Sequence, residues 1–231
     1  LATGTDQFQT VLEFMDSRGY LNDRGSAVST SNINVMELIQ AAVRFTPDPA
    51  RPARHLTFGK LTRDLGSRRL LARNRFRNTV NAFAGLDAYW DWRALQLNLF
   101  ALHPLKRHPL ERDALLSNRR ASDPVSDDTV LSGLQLSWHR GPDRSELLLL
   151  DADGPDDRSQ AERGYDFLTG GVRRVRATRS GRWNYQAELL VQRGHVSTAA
   201  GRQRHRVGRT QNPAIERQVV DSGGLHAGAA S

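Results

Sequence analysis

The sequence predicts an all-β protein, an antiparallel up-and-down transmembrane β-barrel that is incomplete in this chain. Three observations predict it. Apolar and polar residues alternate through many short runs, the connections between runs alternate long and short, and the four tryptophans lie close to short connections. Side chains on a strand point to opposite faces with period two, so each run has one apolar and one polar face. Outer-membrane barrels place short turns at one edge and long loops at the other. Amphipathic rings favour the membrane interface, which explains tryptophans at a single edge.

In chain order, the first strand is 7–15, where Phe8, Leu12 and Phe14 oppose Gln7, Gln9 and Glu13. A polar connection with turn-formers Gly19, Asn22, Asp23 and Gly25 leads to 35–45, where Ile39, Val43 and Phe45 oppose Gln40 and Arg44. The proline-bearing link 46–54 precedes a strand at 55–63, and an arginine-rich segment follows it. In 84–91, Ala84, Leu86, Ala88 and Trp90 alternate with Gly85, Asp87, Tyr89 and Asp91. After a reversal at Trp92, Leu95, Leu97, Leu99 and Ala101 alternate with Gln96, Asn98 and Phe100.

Pro104, Pro109 and Pro124 argue against a central strand or a long helix in the next connection, where only 110–116 suits a short helix. The strand 129–139 sets Leu134, Leu136 and Trp138 against Gly133, Gln135 and Ser137, and a turn at Gly141-Pro142-Asp143 gives 146–152. An acidic loop precedes 166–178, and a reversal at Ser180-Gly181 starts 183–193. There Trp183, Tyr185, Ala187, Leu189 and Val191 oppose Asn184, Gln186, Glu188 and Gln192. A last alternating segment occupies 224–231. The expected organisation is one partial barrel domain over 1–231, with about nine or ten strands of a larger barrel. Its long outer loops fall near 16–33, 64–80, 103–128, 153–165 and 194–223. With no signal peptide before Leu1 and a strand-like segment cut at Ser231, the chain reads as a piece of something longer.

The composition fits this reading. Of 231 residues 38% are hydrophobic, and the mean hydropathy is −0.57, which a barrel apolar outside and polar inside would average out to. A soluble β-sandwich binding an anionic carbohydrate or nucleic acid fits the same numbers and stands as the alternative. No apolar run reaches the roughly 20 residues of a membrane-spanning helix. The absence of cysteine excludes disulfides and thiolate metal sites.

The net charge of +8 is carried almost wholly by arginine, with Lys60 and Lys106 the only lysines. The excess calls for an anionic partner, and a planar guanidinium fork suits carboxylate or phosphate. Arg63, Arg68, Arg69, Arg73, Arg75 and Arg77 crowd one stretch, with Arg93 beyond the next turn. On a polar face enclosing water they would attract an anion. A solvated outer loop suits Arg68 and Arg75 better, whereas Arg73 and Arg77 fit lumen and loop equally. Nucleic acid is not expected as a partner, because the aromatic residues sit on apolar faces rather than among the arginines.

No cofactor, metal or catalytic set is expected. Asp151 to Asp157 has the composition of a calcium loop, but its glycine is at the wrong offset and no glutamate closes it. His103 and His108 read as loop residues. The pairs Gly170-Gly171 and Gly223-Gly224 read as relief of crowding in a curved sheet.

Gly59-Lys60, Gly66, Arg69-Leu70, Arg73, Arg77-Asn78, Phe83 and Gly85, taken in order, resemble the central signature of the alginate-export family of outer-membrane β-barrels. The stretches 13–18, 37–40, 168–173 and 183–192 are similar to further parts of that family. The resemblance implies a passive outer-membrane pore exporting an anionic polysaccharide, without enzymatic chemistry. Lipid and periplasmic secretion proteins would then be further partners. Carried over residue by residue, it makes Lys60, Arg69, Arg73, Arg77, Asn78, Arg173, Glu188 and Gln192 pore-lining, and Asp87 joins them as a carboxylate on the polar face. Two positions depart from the family pattern. Lys60 stands for arginine, keeping the charge but losing the fork, and Ala84 stands for the aspartate before Gly85.

Overall fold

A computed structural model describes residues 2–74, 76–154, 164–176, 184–198, 201–210 and 214–216. Its strands are β1 (Ala2–Gly4), β2 (Phe8–Ser17), β3 (Asn34–Phe45), β4 (His55–Leu61), β5 (Phe83–Trp92) and β6 (Leu95–Pro104). They continue as β7 (Val130–Arg140), β8 (Asp143–Asp153), β9 (Gly164–Arg176), β10 (Asn184–Thr198), β11 (Gly201–Thr210) and β12 (Ala214–Glu216). One short helix, α1 (Arg112–Leu116), lies where the sequence places it. Each strand from β1 to β11 pairs antiparallel with the next, and β12 extends the β11 edge of β10. Among the described residues no ladder joins β1 to β11. The sheet is therefore an open, incomplete up-and-down barrel, and not the two facing sheets of a sandwich.

Period-two alternation sorts the side chains as expected. Trp92, Leu95 and Trp138 form one cross-strand row, and Leu97, Leu136, Leu147, Val172 and Leu189 form the next. The row beyond contains Leu99, Leu134, Leu149 and Val191. Leu95, Leu99, Leu147, Leu149, Val172, Leu189 and Val191 are 38% to 50% exposed. These residues are thus turned away from any core and make an apolar outer surface.

The core lies on the other face. Phe83, Phe100, Leu102, Leu148 and Leu150 pack there with Leu65 and Leu71. The last two belong to the connection 62–82, which corrects the expectation of an outer loop near 64–80. The segment turns inward because its leucines find an apolar patch on the inner face, and burying apolar surface is favourable. It also reaches both ends of the sheet, bonding Glu13 on β2 and Glu188 on β10, so the strands curl around it.

Three connections meet at the long-loop edge. Asn118 exchanges hydrogen bonds with the Gly19 backbone, Thr79 donates to the Thr30 carbonyl, and Leu115 of α1 packs on Ile33 and Val35.

Other boundaries differ from the sequence reading. The polar loop expected over 194–223 is in part strand: β10 runs to Thr198, and β11 and β12 pair with it. Segment 201–210 has no apolar period to betray it, because backbone hydrogen bonds alone form its ladder. The alternation of long and short connections accordingly ends there, with Thr198 paired to Gly201. The edge strand β1 was not anticipated, and His103 lies in β6 rather than in a loop. Trp183, the Ser180-Gly181 reversal, Arg75, most of the acidic loop 153–165 and segment 224–231 lie outside the described residues.

Candidate functional site

Directly behind the outer leucines, the inner face carries a polar row. Asp91, Gln96, Ser137, Glu146, Arg173 and Glu188 follow one another in register from β5 to β10. Alternation dictates this arrangement, since each residue is the neighbour in sequence of an outward apolar one. Glu146 is buried and takes ion pairs from Arg173 and Arg144, each at 2.8 Å, while Gln135 donates to it at 3.2 Å. Arg173 also donates to Gln186 at 3.1 Å, and Gln96 to Asp91 at 3.1 Å.

A second polar knot lies one strand pair away. Arg63, just past β4, pairs with buried Asp87 at 3.2 Å and donates to Asn98, which itself donates to Asp87 at 2.9 Å. The guanidinium sits 5.8 Å from the Phe100 ring centroid. A third knot ties the inward loop to the sheet: Arg73 forks onto both oxygens of Glu13, and Gln40 donates to the same carboxylate. On the far side, Arg69 lies 3.4 Å from Glu188 and Ser67 Oγ lies 2.7 and 2.8 Å from its two oxygens.

The residues expected from sequence divide into groups. Arg69 and Glu188 come together, Arg73 meets Glu13, and Asp87 meets Arg63. Arg173 lies in the polar row, and Gln192 donates to Thr169 at 3.0 Å on the same face. Lys60 bonds Glu37, a buried carboxylate that also accepts from the Asp123 backbone. Arg77 and Asn78 are exposed on segment 62–82, where Arg77 donates to Ser31 at 2.8 Å. Arg68 pairs with Asp64 in the same loop.

Sequence reasoning named Arg63 only within the crowded arginine stretch, and it passed over Arg144, Glu13, Glu37 and Glu146 as site residues. The signal for Glu146 was the alternation itself, since it stands one step from outward Leu147. For Glu13 and Glu37 no local signal existed, because their partners Arg73 and Lys60 come from other segments. Among the described residues no group of His, Asp and Glu is placed to hold a metal ion.

The arrangement is therefore a set of guanidiniums, each fixed by a carboxylate, on the concave side of a curled sheet. Its half-exposed guanidiniums, Arg69 and Arg144 among them, are donors for passing oxygen ligands. A family model described as alginate export matches residues 2–222. A search of curated proteins finds no match. The match spans nearly all of the chain, which belongs to the alginate export family of outer-membrane pores, whose general role is polysaccharide export.

Proposed function

We propose that this chain forms part of a passive outer-membrane pore that conducts an anionic polysaccharide along its arginine-bearing inner face. One observation carries the reading: the same stretch of β8, β9 and β10 offers Leu147, Val172 and Leu189 outward and Glu146, Arg173 and Glu188 inward. Lipid suits the first set and water the second.

The mechanism follows from the pairing. Arg63, Arg73, Arg144 and Arg173 are each held by a protein carboxylate, so no site is a deep well for a polymer carboxylate. A sugar acid can share the half-exposed guanidiniums of Arg69 and Arg144 without evicting their carboxylates, and weak binding repeated along a track permits movement. Segment 62–82 narrows the passage, and a polymer must displace it from Glu13 and Glu188. Outer-membrane lipid surrounds the apolar face, and periplasmic secretion proteins deliver the polymer at the short-turn edge.

Planar-bilayer recording of the full chain tests this. Anion preference under a salt gradient is expected, and it should fall when Arg69 and Arg173 are both changed to glutamine, since Ser67 still holds Glu188 and Arg144 still holds Glu146. A pore without ion preference, or one indifferent to those changes, overturns the reading.

A further inference from the structure

The outward face changes character at its short-turn edge. Arg174 on β9 pairs with Ser145, Ser145 with Trp138, and Trp138 with Leu95, so a guanidinium stands in the tryptophan row. One row nearer the edge, Arg140, Asp143, Arg176 and Tyr185 follow one another across β7 to β10. Asp143 accepts from Arg176 Nε and Nη2 at 2.6 Å each, and from Arg174 at 3.2 Å. The Tyr185 hydroxyl lies 3.3 Å from the same carboxylate, and its ring centroid lies 5.5 Å from Arg176 Cζ.

Held in this way, Arg174 and Arg176 keep 57% and 39% of their side chains exposed. With exposed Arg140 beside them, the positive charges outnumber the single carboxylate. Leu147, Val172 and Leu189 begin one row further into the apolar band.

We propose that Arg140, Arg174 and Arg176 bind the phosphate of phosphatidylglycerol in the leaflet at the short-turn edge, its acyl chains lying along Leu147, Val172 and Leu189. The site rests on the membrane reading above, because it needs lipid against the outer face, but it is independent of what passes through the pore. Depth, charge and chemistry agree. Trp92 and Trp138 mark the interface, where indole rings settle, and Arg174 lies at their level. A guanidinium with five N–H donors serves Asp143 on one side and a phosphate on the other. The opposite edge of the same outer face carries exposed Asp151, Asp153 and Asp166, so charge complementarity selects the short-turn edge alone.

Native mass spectrometry of the full chain in micelles, titrated with phosphatidylglycerol or with phosphatidylcholine of the same chains, reads the site. Phosphatidylglycerol should bind more tightly, and Arg174→Gln with Arg176→Gln should weaken it about fivefold per charge removed. Arg193→Gln, outward on β10 beyond Val191, should leave it unchanged. Arg140 makes no ion pair among the described residues, so Arg140→Gln alone gives the same reading, about fivefold, should the double variant not refold. Equal binding of the two lipids, or phosphatidylglycerol binding unchanged in the variants, overturns the site. Failure of the full chain to float with vesicles of either lipid would instead overturn the membrane reading beneath it.

Discussion

Ser67 Oγ sits 2.7 and 2.8 Å from the two carboxylate oxygens of Glu188, although 121 positions separate them in the chain. This contact fastens the tip of the inward segment to the far strand of the sheet, as Arg73 and Glu13 fasten its return at the near one. A hydrogen bond to a charged group contributes about 1.5–3 kcal/mol. Ser67→Ala should therefore raise the population with the segment displaced by roughly tenfold or more. Single-channel recording checks it through open probability, and an unchanged value would show that the latch lies elsewhere.

Arg63 and Asp87 make a charge pair that water reaches poorly, their side chains 18% and 9% exposed. Removing one partner leaves the other as an uncompensated buried charge, at a cost of about 3–5 kcal/mol. Arg63→Met should thus lower the thermal midpoint in micelles sharply. Adding Asp87→Asn should restore most of the loss, since the leftover charge disappears while Asn98 can still bond the amide. A double variant no more stable than Arg63→Met alone would remove the pairing as the cause.

These two contacts also mark what the sequence made legible. The faces of β5 to β10 were readable because every second residue is apolar in the middle of most of these strands, and that single period fixes Leu147 outward and Glu146 inward together. The fate of 62–82 was not readable. Leu65, Leu70 and Leu71 lie among arginines without period, and their burial depends on Phe100, Leu148 and Leu150, which come from distant strands. The strand β11 was invisible for the converse reason: a ladder of backbone bonds needs no apolar period, and 201–210 has none. Arg69 and Glu188 were both chosen as site residues, yet nothing in their local sequence announces that they meet.

Gly59 tests the sheet rather than the site. It holds φ +123°, and a Cβ there would stand 2.4 Å from the Ala41 carbonyl oxygen and 3.0 Å from Ala42 Cα. Both are backbone atoms of the paired strand, so Gly59→Ala forces β3 and β4 apart. The expected result is loss of the folded, heat-modifiable form on electrophoresis. Gly66 gives the comparison: a Cβ there meets nothing within 4 Å, and only its φ of +53° opposes substitution. Gly66→Ala should fold with a penalty of roughly 1–2 kcal/mol. Equal folding of the two variants would mean that the close approach of β3 and β4 does not constrain the barrel.

Asp123, in the connection 105–129, gives the long-loop edge a pH dependence. Burial pushes its carboxyl above the usual aspartate range, against the hydrogen bonds it accepts from His108 N and Asn34 Nδ2. Nearby Glu37 pushes the same way and Lys60 opposes it. A carboxyl whose folded pKa is raised favours its protonated form in the folded state. Its ionisation therefore weakens folding as pH climbs past the unfolded value of 3.8, and the penalty is complete above the folded pKa. Asp123→Asn cannot ionise and lacks that penalty. The wild-type thermal midpoint, compared with that of Asp123→Asn, should improve as pH falls through the folded pKa towards 3.8, and not above it. A difference flat across that window, or one widening in the opposite direction, would show that burial of Asp123 does not govern the docking of 105–129 onto β3.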